Sequence, residues 1–378
     1  MNRRLLAALA PIIVILALSG ALFAAEPVRV VPIVLDVVAG TAHYTTELAI
    51  TNRGATALNA TLRYHPSFGS TAGGTVSRAL GAGQQLVIPD VIGLLRESGV
   101  ALPSGEAHIG TLEVGFAGAA SDEVVAATAR TTTSVGSPEG RAGLAYGALR
   151  AGSTTRLIVY GLRESDADRS NLAFLSTSAE PVTLKITVHD GSGSGASTVV
   201  REAETLAPFG WRQIGSVLRE AGITNGWAEI ERVGGTGAFS AYGVVNDNVT
   251  NDGSFLPPVA AGRTGTRLTV PVIAESSSLV SELVLANRSG APATLTLSYV
   301  RSLTAPAGGD GVATLTLGPR EQRIVPDAFA LLREAGVPVG PAGEGHVGTL
   351  RIRVAGASLD HVFAAARTAF RSGTGQFG

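Results

Sequence analysis

The chain contains no cysteine among its 378 residues. This absence excludes disulfide bonds, thiolate metal sites, cysteine nucleophiles and a lipid-modified cysteine anchor. A chain of this length must therefore gain its stability from packing, and its length favours two or three domains over a single core.

The sequence also lacks an excess of charge of either sign. Lys and Arg number 29, Asp and Glu number 30, and the formal net charge is −1 at pH 7. Nucleic acids and anionic membranes attract basic surfaces, so we expect no nucleic-acid partner. Gly is abundant, with 48 residues, while 45% of the chain is hydrophobic. This mixture favours short strands and turns over disorder.

Residues 1–25 have the pattern of an export signal. Arg3 and Arg4 precede an apolar run over residues 5–23, and two alanines follow as a small-residue cleavage point. If it stays uncleaved, the same segment is long enough to form a helix of about 30 Å, the thickness of a bilayer core. The sequence therefore predicts export to the periplasm, cell surface or medium. A cleaved signal peptide and an uncleaved membrane anchor remain the two alternatives, and the anchor is the only expected contact with a membrane.

A Leu-Arg-Glu-x-Gly motif occurs three times and reveals internal repeats. Its arginines are Arg96, Arg219 and Arg333. Strand-like segments before and after the motif recur in the same order, which indicates repeated supersecondary units. Linkers rich in Gly, Ser and Pro separate the copies, and they are short enough to predict a moderately stiff rod. We predict domains at residues 26–150, 151–262 and 263–378, the third with an incomplete last edge.

Each repeat contains about seven strand candidates and one short helix. Apolar residues alternate with polar ones in segments such as residues 182–188 and 293–299, as in strands that are buried on one face. Asp90 and Asp327 are placed to cap two of the helices, and a glycine such as Gly99 follows each helix. A parallel sheet would need a helix between every pair of strands. The expected fold is therefore mainly β, with three tandem antiparallel β-sandwich domains.

The alternating strands, turn signals and tandem spacing resemble bacterial secreted or surface proteins with immunoglobulin-like or fibronectin-like sandwich repeats. The resemblance covers the chain from about Val28 onwards and points to no named functional family. It implies an extracellular or envelope role and a cell-surface or extracellular protein or glycan as partner. The chain departs from true immunoglobulin domains by lacking paired cysteines.

Histidines offer no convergent catalytic set. His108 and His346 occupy the same strand entry in two repeats, and alignment of the sequence places Gly226 there in the middle copy. A residue that one copy lacks is expected to be structural. His361 lies near Ser358 and Asp360, but no Gly-x-Ser-x-Gly turn accompanies this cluster. We therefore expect a protein that is not an enzyme.

The middle repeat contains both tryptophans of the chain, Trp211 and Trp227. If both indole rings were exposed on one sheet face, they would form a platform on which a sugar ring could stack. Core packing is the alternative, because the surrounding residues have the periodicity of buried strands. Sugar binding at these two residues is therefore one hypothesis for function.

An oxygen-rich loop follows in the same repeat. Asp247, Asn248, Asn251 and Asp252 supply the ligand types that calcium prefers. The spacing does not match the helix-loop-helix calcium pattern, because Val259 takes the place of the bidentate glutamate. Asn and Asp also favour plain turns. Calcium at this loop is the one cofactor that the sequence suggests.

Two classes of function follow. The first is a non-catalytic exported repeat protein that acts as an extracellular or cell-envelope scaffold or adhesion module. The second is a carbohydrate-binding or calcium-dependent recognition protein with its site in the middle repeat.

Overall fold

The computed structural model describes residues 26–67, 73–105, 107–135, 140–150, 154–302, 308–372 and 375–378. The predicted export segment, residues 1–25, lies outside this part of the chain. Within the described ranges, no helix is long and apolar enough to cross a membrane. The described residues are mainly β, with three short α-helices, as the alternation predicts.

The strands fall into three sets with the same order, which we call the first, second and third repeats. The first repeat contains β1 (Val28–Ala39), β2 (Ala42–Asn52), β3 (Leu58–Pro66), β4 (Gly74–Leu80), β5 (Gln85–Ile88), α1 (Val91–Glu97), β6 (His108–Ala117), β7 (Val125–Val135), β8 (Gly140–Gly147) and β9 (Leu149–Arg150). The second contains β10 (Arg156–Arg163), β11 (Asp168–Ser176), β12 (Val182–Asp190), β13 (Ser197–Leu206), β14 (Trp211–Ile214), α2 (Val217–Ala221), β15 (Asn225–Gly235), β16 (Phe239–Asp247), β17 (Gly253–Leu256) and β18 (Val259–Ala260). The third contains β19 (Arg267–Glu275), β20 (Leu279–Asn287), β21 (Ala293–Arg301), β22 (Gly311–Leu317), β23 (Glu321–Val325), α3 (Ala328–Glu334), β24 (His346–Ala355), β25 (Val362–Ser372) and β26 (Gly375–Phe377).

Each repeat forms two antiparallel layers. The first layer, sheet I, has the orders β4-β3-β6-β1-β9, β13-β12-β15-β10-β18 and β22-β21-β24-β19. The second layer, sheet II, has the orders β5-β2-β7-β8, β14-β11-β16-β17 and β23-β20-β25-β26. In the first repeat, the ends of β1 and β2 also pair and join the layers. Immunoglobulin sheets instead follow the orders ABED and CFG, so the strand order here differs from the immunoglobulin one.

In every repeat, a side-chain hydroxyl of sheet II bonds to the backbone of the residue that follows a bulge in sheet I. The first strand of each repeat shifts register by a bulge, which bends it across the sandwich. Thr46 donates to the carbonyl of Leu35 and accepts from its N–H. Ser170 and Ser281 make the same pair of bonds in the other repeats.

The cores lie between the two layers, and period-2 alternation places residues there. Along β12, Val182, Leu184, Ile186 and Val188 are all fully buried, and the residues between them are partly exposed. Three separate apolar clusters of this kind fill the three repeats. The alternation identified in the sequence therefore predicts the inward face of these strands correctly.

The helices begin and end as the sequence predicts. Asp90 and Asp327 accept hydrogen bonds of 2.9 Å from the N–H groups of Gly93 and Ala330. Gly99 has a φ of 78° just past α1, the left-handed conformation that glycine adopts without strain. The motif arginines pair with an acid on the first strand or just after it, in the pairs Arg96 with Asp36, Arg219 with Glu164 and Arg333 with Glu275.

Candidate functional site at the junctions between repeats

Trp211 is buried where the first and second repeats meet. Its ring belongs to a cluster with Leu175 and Tyr242 of the second repeat and Val30 of the first. The indole Nε1 donates a hydrogen bond of 3.1 Å to the Tyr242 hydroxyl, whose pKa is raised by burial. Trp211 is 6% exposed, so it presents no face on which a sugar ring could stack.

Aromatic rings surround this first junction. His65 of the first repeat stacks on Phe209 of the second, with ring centroids 3.9 Å apart. Phe255 of the second repeat stacks against both Tyr146 of the first and Tyr242 of its own sheet. Stacked rings of this kind contribute beyond their buried area, which makes the junction a packed interface.

Trp227 is buried at the second junction. It forms a cluster with Ile158 and Tyr160 of the second repeat and Ala286 of the third. Phe363 of the third repeat stacks on Tyr160, with centroids 4.5 Å apart. Trp227 is 0% exposed. The two tryptophans thus lie at opposite junctions, and the exposed platform that the sugar hypothesis requires is absent from the described structure.

The Gln322 side chain makes four hydrogen bonds across the second junction. Its Oε1 accepts from the N–H of Gly161 at 2.9 Å. Its Nε2 donates to the carbonyls of Gly226 and Leu162 and to the Asn225 side chain, at 2.8, 3.3 and 2.8 Å. Gln322 is 2% exposed. The bulge of β10 leaves these peptide groups facing the third repeat, and one side chain satisfies them.

Both junctions use the same pair of surfaces. We call the side of a sheet that faces away from its own core its outer face. In each junction, the outer face of sheet II of one repeat covers the outer face of sheet I of the preceding repeat. Trp211 and Gln322 are equivalent in register, because they pair with Leu175 and Ala286 at the same position of the neighbouring strand.

The Asp/Asn loop joins all three repeats. Asp252 accepts from the N–H of Gly143 in the first repeat at 3.1 Å and from the N–H of Gly378 in the third at 2.8 Å. Asp247 accepts from the N–H of Gln376 in the third repeat at 3.1 Å. Because one carboxylate contacts both outer repeats, the repeats meet around this loop. The prediction of a rod is therefore wrong, although the repeats do touch.

These bonds leave little room for calcium. The other oxygen of Asp247 accepts from the N–H groups of Val249 and Thr250, at 2.9 and 2.7 Å. The side-chain oxygens of Asn248 and Asn251 both accept from the Arg169 guanidinium, at 2.8 and 3.0 Å.

A calcium ion at the predicted ligands Asp247, Asn248, Asn251 and Asp252 would have to displace these donors. Among the described residues, no group of three or more His, Asp or Glu side chains could hold a metal ion. In this structure the loop connects the repeats through these hydrogen bonds, and calcium at the loop stays a prediction.

The pKa values of the two aspartates in the loop are shifted in opposite directions. Burial acts to raise the pKa of Asp247, but the N–H groups of Thr250, Val249 and Gln376 outweigh it and lower that pKa below its ordinary value. Burial dominates at Asp252 and raises its pKa, despite two N–H donors. The ionised form of Asp247 therefore stabilises the junction, whereas the site of Asp252 favours its protonated form.

A cleft of about 610 Å³ opens where the three repeats meet, within the size range of small-molecule sites. Tyr146, Phe255 and Phe363 contribute apolar walls from three different repeats. The charged residues that line it are Arg130, Arg163 and Arg367. No aspartate or glutamate of the described chain lines this cleft, so it is suited to an anion with an apolar part.

Two of these arginines are already held across the junction. Arg163 makes a bidentate pair with Glu282, with both N–O distances at 2.6 Å. Burial acts to lower the pKa of Arg163, and the Glu282 carboxylate outweighs it and raises that pKa. Arg367 donates from Nε to the Ser254 hydroxyl at 2.6 Å. Arg130 is exposed, and it is the arginine most accessible to a ligand.

The paired histidines lie at matching strand positions. His108 pairs with Asp36, and His346 with Glu275. At the equivalent position of the second repeat, the backbone N–H of Glu164 donates to the carbonyl of Thr224.

This register corrects the sequence alignment. Thr224, not Gly226, takes the place of the histidines, and Gly226 corresponds to Gly110 and Gly348.

The Ser358, Asp360 and His361 cluster lacks the geometry of a triad. The Ser358 hydroxyl lies 3.3 Å from Nδ1 of His361. The Asp360 carboxylate instead accepts from the N–H groups of Gly262 and Arg263 and contacts Arg288. It therefore fixes the linker before the third repeat.

The sequence pattern does not predict Gln322, Tyr160 or the cleft, although it contains a signal for the junctions. β10 and β11 contain continuous apolar runs that are buried on both faces, whereas β12 alternates. Strands buried on both faces lack alternation.

Comparisons with protein-family models, curated proteins and solved structures gave no match to the chain.

Proposed function

We propose that this chain is a non-catalytic exported protein that acts as a scaffold or adhesion module outside the cytoplasm, with three sandwich domains held as one unit. The partner class is a cell-surface or extracellular protein or glycan. The observation that carries the proposal is the second junction, where buried Gln322 bonds to four groups of the preceding repeat. A junction whose buried polar groups are hydrogen-bonded in this way is rigid. Such rigidity suits a protein that holds a fixed shape between its partners.

Export is supported by the N-terminal pattern of two arginines, an apolar run and small residues. Fractionation of producing cells with an antiserum to the chain tests it. The protein should appear in the envelope or medium, and removal of residues 2–25 should retain it in the cytoplasm. Mass spectrometry of the exported form then distinguishes a cleaved signal peptide from an anchor. Full-length protein found only in the cytoplasm would contradict the proposal.

The scaffold role is tested by adhesion of beads coated with the purified chain to the producing cells. Beads coated with the intact chain should bind. Gln322→Ala should weaken binding, because it removes the hydrogen bonds that hold the third repeat against the second. Gln213→Ala, at an exposed glutamine on the equivalent strand of the second repeat, is the matched control. A reproducible hydrolase or lyase activity of the purified chain would overturn the non-catalytic proposal.

A recognition role is the second candidate, and the structure favours the cleft over the tryptophans as its site. The observation in its favour is a cleft with exposed Arg130 beside Phe255 and Phe363, and with no aspartate or glutamate among its described lining residues. Such a surface suits a ligand with an apolar part and a carboxylate, because arginine binds carboxylates in a bidentate manner. The carbohydrate alternative would require a sugar acid.

Isothermal titration with decanoate tests the second candidate, with decanol as the uncharged control. Decanoate should bind and decanol should not. Arg130→Ala should weaken decanoate binding by about tenfold, the loss of one charge-assisted bond. Equal binding of both compounds, or none, would count against the cleft.

A further inference from the structure

The third repeat carries an uncovered copy of a surface that the other repeats bury. In the first junction, Ile33 and Ile109 pack against the second repeat. Register relative to the bulge makes Val272 and Val347 their equivalents in the third repeat. These valines are 54% and 39% exposed. In addition, β1 pairs with the extra strand β9, and β10 pairs with the extra strand β18. Among the described residues, β19 has no such neighbour.

The first repeat carries an uncovered copy of the complementary surface. Gln85 pairs with Thr51 in the register that places Trp211 opposite Leu175 and Gln322 opposite Ala286. Gln85 is exposed, although it has the same side chain as buried Gln322. Its neighbour Val87 is 48% exposed on the same outer face.

We propose that a second copy of this chain docks head to tail, with the outer face of sheet II of its first repeat on the outer face of sheet I of the third repeat. The interface continues the one that already occurs twice within the chain. Register places Gln85 of the second copy at Val272, the position that corresponds to Gly161, which Gln322 contacts in the second junction. Because the two surfaces differ, the contact is heterologous and generates an open chain of copies or a ring.

Charge makes this contact weaker than the junctions within the chain. Glu229 faces Arg288 across the second junction, 3.7 Å apart. Register places Arg351 at the position of Glu229, and Arg53 follows Asn52 as Arg288 follows Asn287 in the same turn. Docking therefore brings Arg53 and Arg351 together. Salt screens such repulsion, so association should strengthen as salt rises.

The inference rests on the scaffold proposal, because it names a second copy as one of the scaffold's partners. Sedimentation velocity of the purified chain tests it at concentrations up to about 1 mM, which matches the effective concentration of a tethered pair. The intact chain should form dimers and larger species. Val272→Glu and Gln85→Glu each place a charge in one of the two surfaces, and each should give monomers. Val38→Glu, at a valine that is 58% exposed in the β1–β2 hairpin, is the control and should associate as the intact chain does.

Mixing the two variants tests the head-to-tail geometry. Each retains the surface that the other lacks, so the mixture should form a dimer and nothing larger. Arg351→Glu should tighten association at least about threefold, because it restores the Glu229–Arg288 type of pair. An intact chain that stays monomeric, or variants that fail to complement each other, would overturn the inference. Neither result would alter the outcome of the cell fractionation that tests export.

Discussion

Trp211 and Gln322 occupy equivalent positions in successive repeats, and each is buried against the repeat that precedes it. One junction uses an aromatic ring and the other uses an amide that satisfies a bulged backbone. The shared position shows that the contact between repeats is itself repeated. Disruption at either residue should therefore weaken a junction rather than a single core.

Replacement of Gln322 by Ala should lower the free energy of unfolding by about 2–5 kcal/mol. It leaves the N–H of Gly161 and the carbonyl of Gly226 without a side-chain partner, and buried groups of this kind cost about 1–3 kcal/mol each. Gln85→Ala removes the same side chain from an exposed surface and should change stability by less than about 0.5 kcal/mol. Urea unfolding of both variants provides the comparison, and equal effects would refute the role of Gln322.

Replacement of Trp211 by Ala should lower the free energy of unfolding by about 3–5 kcal/mol, as expected for a large side chain lost from a packed site. Trp211→Phe keeps an aromatic ring but removes the donor to Tyr242, so its cost should be smaller, about 1–2 kcal/mol. Denaturation followed by circular dichroism measures both values. An unchanged free energy of unfolding for Trp211→Ala would show that the first junction does not contribute to stability.

Glu282→Ala should destabilise the chain by about 3–5 kcal/mol, because it leaves the buried Arg163 guanidinium unpaired. Glu47→Ala is the matched control, since Glu47 pairs with Arg130 as Glu282 pairs with Arg367. Among the described residues, however, no buried arginine pairs with Glu47 as Arg163 pairs with Glu282. Chemical denaturation should therefore give a much larger loss in the free energy of unfolding for Glu282→Ala than for Glu47→Ala. Similar losses would argue against a stabilising role for the bidentate pair at the junction.

Acid should weaken the junction through Asp247. Its folded pKa is lowered, so its contribution is fully present above its unfolded value of 3.8 and is lost as the pH falls through the folded pKa. Asp247→Asn should be less stable than the intact chain at neutral pH, and the difference should shrink below about pH 3.8.

Asp252→Asn provides the contrast within the same loop. The folded pKa of Asp252 is raised, so protonation favours the folded state and the intact chain gains stability relative to this variant as pH falls. Thermal melts of both variants between neutral and acid pH measure the two trends. Parallel trends would contradict the opposite directions of the two pKa shifts.

The strands and helices could be predicted because their signals are local. Alternation over β12 and the caps at Asp90 and Asp327 depend on neighbours in the sequence. The candidate site could not, because Trp211, Gln322 and Asp252 acquire their roles from partners in other repeats. A tryptophan on the outer face of a sheet has the same local pattern whether it meets a sugar or another repeat. Only the unbroken apolar runs of β10 and β11 indicated a second buried face.

The central claim is that the three repeats act as one unit through their junctions, and differential scanning calorimetry tests it most directly. We expect a single transition whose calorimetric enthalpy equals its van't Hoff enthalpy, the mark of cooperative unfolding. Gln322→Ala should split off a transition for the third repeat. Two or three separate transitions in the intact chain would contradict the claim.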